Sequence, residues 1–384
     1  SLANLESTLS EIETLIGPEV FEPILVNLAS GGSVDLPGMF SQAQQSSSDW
    51  TETPKKVLFI RVDFSDNVGN PIDDIALGAL ISESSDQIVA MSYGKTSILQ
   101  TVAPTVYRLP QTAASYQTLE ANSPAGQSLG ADAIEVDTQA LAGADYTLED
   151  YDIYVYLFAN IGISWLGLAT RGGSNQWING SFEAETMVHE FGHNYGLPHA
   201  RFWSTTDGSA FGTGGELEYG DVFDIMGSGP TPQGHFNMWA KHELNWIEGP
   251  EVSEVTDDKV YRIHRVDHTS TSGTKALRIP YQNDDSIWLG YRRSLTTNPL
   301  LKSGAYVTWK SSSNLSRLVD TTPDSEADST ADREDAPLQV GKTLTTSWTE
   351  SATTETVHIT PVAYGGSAPN EYIDGWVMNG AFPG

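Results

Sequence analysis

HEFGHNYGLPH, residues 189–199, governs the reading of this chain. It sets His189, Glu190, His193, Gly196 and His199 in the order H-E-x-x-H-x-x-G-x-x-H. On a helix, residues four apart share a face, so His189 and His193 present their imidazoles to one ion from consecutive turns. Glu190, one place on, suits a carboxylate that reaches a water on the ion without itself binding the metal. Gly196 tolerates the left-handed backbone that stops a helix and reverses the chain, returning His199 as a third ligand. Three protein ligands and one open position mark catalytic rather than structural zinc. A lone His pair at this spacing is ordinary surface or core chemistry. Here three of the chain's 8 histidines fall within eleven residues, with Glu and Gly at the required places.

The flanks agree. Ala184, Met187, Val188, Phe191 and Tyr195 recur at helical spacing and predict one apolar face. Glu183 and Glu185 stand in the first turn, after a cap at Ser181. Downstream comes DVFDIMG, 221–227.

The long histidine motif resembles that of the metzincin zinc metalloproteases. The wording of WINGSFEAETMVHEFGHNYGLPHA and EYGDVFDIMG is most similar to the gametolysin-like family, and it is also similar to immune-inhibitor-A-type bacterial proteases. The similarity is specific over roughly 175–247 and weaker on either side. The resemblance implies that His189, His193 and His199 are zinc ligands and that Glu190 is general base and acid. It implies a Met-turn with Met226 as the hydrophobic floor. One departure matters: some metzincins place an oxyanion-stabilising Tyr two residues after the Met, and here Ser228 stands there. Tyr219, just upstream, is the candidate substitute, with ordinary packing as the competing role. In the resembled family an edge strand above the cleft pairs with the substrate backbone; the segment 163–170, with Trp165, Leu166, Gly167 and Leu168, is the candidate.

Composition bounds the rest. With 384 residues, 39% hydrophobic and 10% aromatic, the chain is long and apolar enough for two domains with a sizeable core. No apolar run is long enough to span a bilayer, so membrane insertion is not expected. The absence of Cys excludes a disulfide framework, a thiolate zinc site and a cysteine-based zymogen switch. A net charge of −30 repels nucleic acid and anionic membranes. It also favours bound cations. Structural calcium is one use for the acid excess and plain solubility the other.

The expected fold class is α+β: a metzincin-like catalytic domain of twisted mixed sheet plus helices, followed by an all-β sandwich domain. Residues 1–54 read as an N-terminal extension, or as a pro-segment whose Asp35 would ligate the zinc. The catalytic domain is placed at 55–250. A buried strand at 55–63 opens it, followed by a helix over 84–93, a strand over 101–109 and a helix over 128–142. Strands at 152–158, 163–170 and 175–179 lead into the zinc helix. A turn-rich loop, 227–234, and a helix over 235–246 close the domain; His235 and His242 there read as surface or packed histidines. From 251 to 384, short alternating segments at 259–264, 275–279, 286–291, 305–310 and 356–362 predict the β-sandwich. The acidic stretch 320–335 reads as a solvated loop or a calcium-binding one.

The implied function is a secreted zinc endopeptidase, its signal peptide already removed, hydrolysing peptide bonds of extracellular proteins through a zinc-activated water with Glu190 as base. Protein or glycoprotein is the expected partner and a monomer the expected state. Two alternatives stand beside it. One is a glycopeptidase restricted to O-glycosylated protein, with Trp165, Trp177 and Trp203 stacking on sugars. The other is a non-catalytic glycan- or matrix-binding adhesin.

Overall fold

Strand β1 (Lys55–Asp63) is buried on both faces, and its alternation divides two cores. Val57 and Phe59 point to one, Leu58, Ile60 and Val62 to the other, as period-two geometry requires. The same division runs along β3 (Ile153–Phe158), where Ile153, Val155 and Leu157 face the first core and Tyr156 and Phe158 the second. The computed structural model describes residues 48–229, 234–324, 330–350 and 353–381. Residues 1–47 of the N-terminal extension, Asp35 among them, and part of the 227–234 loop lie outside the described residues.

The first sheet has the order β2-β1-β3-β5-β4, with β2 (Ile98–Arg108), β4 (Gly167–Ala169) and β5 (Asn175–Asn179). Its inner pairings are parallel, while β4 runs antiparallel to β5 at the edge. Helix α1 (Asp74–Met91) and α4 (Ala184–Asn194) pack on one face. Helices α2 (Ala113–Ala121) and α3 (Leu129–Ala142) contribute to the core on the other. Purely parallel pairing needs such cover on both sides.

A second sheet has the order β7-β6-β13-β12-β11-β10-β8, with β14 (Leu338–Gln339) paired to β12 off that path. Its strands are β6 (Arg201–Thr205), β7 (Gly214–Leu217), β8 (Val252–Glu254), β10 (Ala276–Pro280), β11 (Ser286–Gly290), β12 (Gly304–Lys310) and β13 (Ser316–Leu318). The third sheet, β15-β16-β17-β9, comprises β9 (Lys259–His264), β15 (Leu344–Glu350), β16 (Thr353–Gly365) and β17 (Tyr372–Asn379).

The second sheet separates two apolar clusters. Leu277, Ile279, Ile287, Leu289 and Val307 share one with Ile263, Ile359, Ile373 and Val377 of the third sheet. Trp288, Tyr306 and Leu318 join the other, which contains the α4 residues Met187, Val188 and Phe191. The chain is thus α+β, with several sheets and few helices. The division expected at 250 does not fall on a break in the core: β6 and β7 lie upstream of it and pair into the second sheet, β6 against β13.

Boundaries shift in several places. The helix expected over 84–93 begins ten residues earlier, at Asp74, because the Asp73 side chain accepts a bond from Ala76 N and caps it. The strand expected over 163–170 is confined to Gly167–Ala169. Upstream of it, Asn179 Nδ2 donates to the carbonyls of Ile163 and Trp165, which occupies backbone groups a strand would need. The helix expected over 235–246 is α5 (Met238–Glu243), capped by Asn237. No helix among the described residues is long and apolar enough to cross a membrane.

Candidate metal centre

Helix α4 buries Ala184, Met187, Val188 and Phe191, with Tyr195 just beyond its end, as the apolar stripe predicts. Its start differs from the expectation. Glu183 stands at the cap position without a side-chain bond, and Ser181 Oγ pairs with Thr186 Oγ1 at 2.9 Å instead. At the other end Asn194, fully buried, donates to the carbonyls of Gly173 and Asn175 at 2.9 and 3.0 Å. This ties α4 to the first sheet. Gly196 follows at φ 111, the left-handed region the reversal requires. The turn brings the chain back so that His199 faces the helix.

His189, His193 and His199 converge, with one ligand atom from each lying within 4.8 Å of the others. The second nitrogen of every ring is committed. His189 Nδ1 lies 2.7 Å from the Ile225 carbonyl, His193 Nδ1 2.8 Å from the Leu197 carbonyl, and His199 Nδ1 2.8 Å from Glu218 Oε1. Carbonyl and carboxylate oxygens only accept, so each Nδ1 carries the proton and each Nε2 keeps its lone pair. Burial lowers His189 to about 4 and His193 to about 3, and it lowers His199 as well, so all three are neutral near pH 7. His193 Nε2 and His199 Nε2 therefore face one another at 3.0 Å with two lone pairs and no proton between them. Two nitrogens held about 2.0–2.1 Å from a tetrahedral zinc stand about 3.3 Å apart. The donor set, the tautomers and the spacing fit zinc.

Glu190 is buried beside this centre, and its Oε2 has no hydrogen-bond partner among the described residues. Burial pushes its carboxyl up to about 8; a divalent ion at the imidazoles would pull it back down. The edge strand closes against it. A Cβ on Gly167 would come 2.4 Å from Glu190 Oε1, so this approach needs glycine.

The 221–229 turn forms the floor. Met226 is buried, and a Cβ on Gly192, between the two helix histidines, would meet its sulfur at 2.2 Å. Met226 N donates to Asp224 Oδ1 at 2.8 Å, and Ala200 N donates to the Met226 carbonyl at 2.9 Å. The turn thus orients His189 through Ile225 and anchors the residue after His199. Asp224 Oδ2 accepts from Asn237 N at 2.6 Å. Tyr306 of β12 donates to Asp221, and Arg292 to the carbonyls of Phe223 and His235. The downstream sheet therefore braces the floor.

No family model, curated protein or solved structure matches this chain.

Tyr219 is half-exposed at φ 58, with its ring centroid 3.8 Å from that of His199. That position is at the centre, not in a packed core. Trp165 and Leu166 precede the edge strand: Trp165 Nε1 donates to Glu120 at 2.7 Å, and Leu166 is exposed. Leu168 packs on the second core of the first sheet. Trp177 is buried against Tyr156 and offers no face to a sugar. Trp203 donates to the Gly212 carbonyl and packs edge-on to Trp309. His235 is buried near the Val266 carbonyl, and His242 packs on Trp288, so both are packed histidines.

Reasoning from sequence assigned no role to Glu218, Arg292 or Tyr306. Glu218 had a faint signal, an acid next to Tyr219 in the segment leading to DVFDIMG. Arg292 and Tyr306 had none, because their contact with the turn spans about a fifth of the chain.

Proposed function

We propose that this chain is a zinc-dependent endopeptidase acting on extracellular proteins, with a metzincin-like catalytic part and a downstream β-sandwich formed by the second and third sheets. The observation that carries the proposal is the set of three imidazoles, each with Nδ1 bonded to an oxygen and Nε2 left as a donor to one shared point. Carbonyl and carboxylate partners of this kind fix ring orientation and raise ligand basicity. Zinc held by His189, His193 and His199 would supply Lewis acidity toward a scissile carbonyl.

The remaining chemistry belongs to the chain. Glu190, buried and without a partner on Oε2, takes a proton from the attacking water and passes it to the leaving amine. Among the described residues β4 pairs with β5 on one side only, which supports an extended peptide docking at its other edge. Main-chain hydrogen bonds there would lay the substrate across Glu190. Tyr219, whose ring lies against His199 and His189, is the candidate donor to a developing oxyanion.

The deciding experiment measures metal content by inductively coupled plasma analysis and cleavage of casein, gelatin and mucin, with and without chelator. Wild type should hold one zinc and cleave in a chelator-sensitive way. Glu190→Ala should keep the zinc and lose nearly all turnover, and His199→Ala should lose zinc. A zinc-loaded Glu190→Ala protein that cleaves at the wild-type rate refutes the mechanism. Cleavage of mucin alone would narrow the substrate to glycoprotein.

A further inference from the structure

A second convergence of ligand atoms lies in the acidic stretch. Asp320, Asp332 and Asp335 each place an oxygen within 4.8 Å of those of the other two. Asp320 follows β13 and is 2% exposed, while Asp332 and Asp335 lie half-buried, three residues apart at the short helix Ala331–Glu334. Exposed acids gather on many surfaces without meaning, but Asp320 is not exposed. Its Oδ1 accepts from Thr322 N at 2.8 Å, and its Oδ2 is buried with no hydrogen-bond partner among the described residues. Burial, together with the charges of Asp332 and Asp335, pushes its carboxyl up to about 7 despite that Thr322 bond. A buried carboxylate facing two others is a costly arrangement unless a cation joins them.

We propose that Asp320, Asp332 and Asp335 bind a calcium ion that joins the chain after β13 to residues 330–335 beside the chain entering the metal-centre turn. The donors are all carboxylate oxygens, which suit a hard cation and not zinc. Oxygens bound at 2.3–2.6 Å to one calcium lie at most about 5 Å apart, a limit these three meet. Magnesium keeps most of its waters and is held by one or two carboxylates, so three fit it poorly. The segment already touches the metal centre's approach. Arg333, between two of the ligands, donates Nη1 to the Gly220 carbonyl at 3.2 Å. Gly220 lies between Tyr219 and Asp221. Thr321 also ties the chain after Asp320 to the chain after Asp335, with N and Oγ1 donating to the Ala336 carbonyl at 3.2 and 2.9 Å. Calcium would thus stiffen the stretch that places Tyr219 over His199. That coupling rests on the zinc proposal, whereas calcium binding itself does not.

The test uses the full zinc-loaded chain in calcium chloride, with metal content and melting temperature as readouts. Asp320→Asn should hold one calcium fewer than wild type and the same zinc. Calcium should raise the wild-type melting temperature with a midpoint of about 10⁻⁴ M, in the range of extracellular sites, and leave the variant unmoved. In calcium-free buffer Asp320→Asn should melt no lower than wild type, because it removes a like charge. Asp332→Asn, at a less buried position, should lose the same calcium and guards against a folding defect at 320. Equal calcium content in all three proteins overturns the proposal, as does an equal rise with magnesium chloride. A chain that binds calcium here yet cleaves nothing keeps this site and sinks the peptidase.

Discussion

Gly167 and Glu190 touch so closely that a single added methyl group at 167 would lie 2.4 Å from the carboxylate. The edge strand and the Glu190 carboxylate are therefore in direct contact. Gly167→Ala should push Glu190 aside while leaving the three imidazoles in place. Misplacement by about 1 Å costs on the order of 10²-fold in turnover. Casein hydrolysis should fall by about that factor at unchanged zinc content. Full activity in Gly167→Ala would show that Glu190 is not positioned by the strand.

Glu218 holds His199 by the ring nitrogen that faces away from the centre, at 2.8 Å. The bond to His199 leads the effects that keep the Glu218 carboxyl below its usual range, so it is charged at neutral pH. Losing such a partner typically costs about 10–100-fold in metal affinity. Glu218→Ala should show that loss in competition against a zinc chelator, with an unchanged melting temperature for the zinc-saturated protein. Unaltered affinity would mean that the Glu218 bond does not orient His199 for the metal.

Those two contacts differ in how far sequence could reach them. Gly167 was named as part of an edge strand, but its contact with Glu190 depends on β4 turning back antiparallel to β5, which no local pattern encodes. The convergence of His189, His193 and His199 was legible because helix periodicity and one glycine place all three within a single local segment. Strands of the second and third sheets with clear alternation, such as β9 and β11, matched closely. β15 and β17 were missed: LTTSWTE and YIDGWVMN mix polar and apolar residues on both faces. Helix α1 was half-seen, since Ile75, near its start, is exposed and blurs the periodicity. The brace from Tyr306 and Arg292 depends on how the sheets pack together, which only tertiary structure carries.

Tyr219 is held in a left-handed backbone conformation, φ 58, that costs a bulky residue energy. Its ring is close to His199 rather than buried in a core. If the hydroxyl stabilises an oxyanion, Tyr219→Phe should lower kcat by about 10²-fold with little change in KM or zinc content. Stacking alone predicts no change in kcat. The kcat-against-KM split separates the two roles.

Asp267 lies far from the three clustered histidines in sequence, and its surroundings predict a contribution to stability that acid removes. Its Oδ1 accepts from Arg265 Nε at 2.8 Å, and its Oδ2 from the backbone N of Arg293, Ser294 and Leu295 at 3.0, 2.7 and 2.8 Å. Burial alone would raise this carboxyl, but Arg265 and the three N–H groups outweigh it and hold it below 3.8. A depressed folded-state value means the unfolded chain binds the proton more readily. The contribution is therefore complete above the unfolded value and is lost as pH falls through the folded one. Asp267→Asn leaves the buried Arg265 with Glu371, at 3.1 Å, as its one remaining charge partner among the described residues. Breaking a buried pair costs about 3–5 kcal/mol. Urea unfolding at pH 7 should show a loss of that order, and the gap between variant and wild type should narrow below pH 3.8. A gap that stays constant as the solution is acidified would show that the charge on Asp267 does not stabilise this fold.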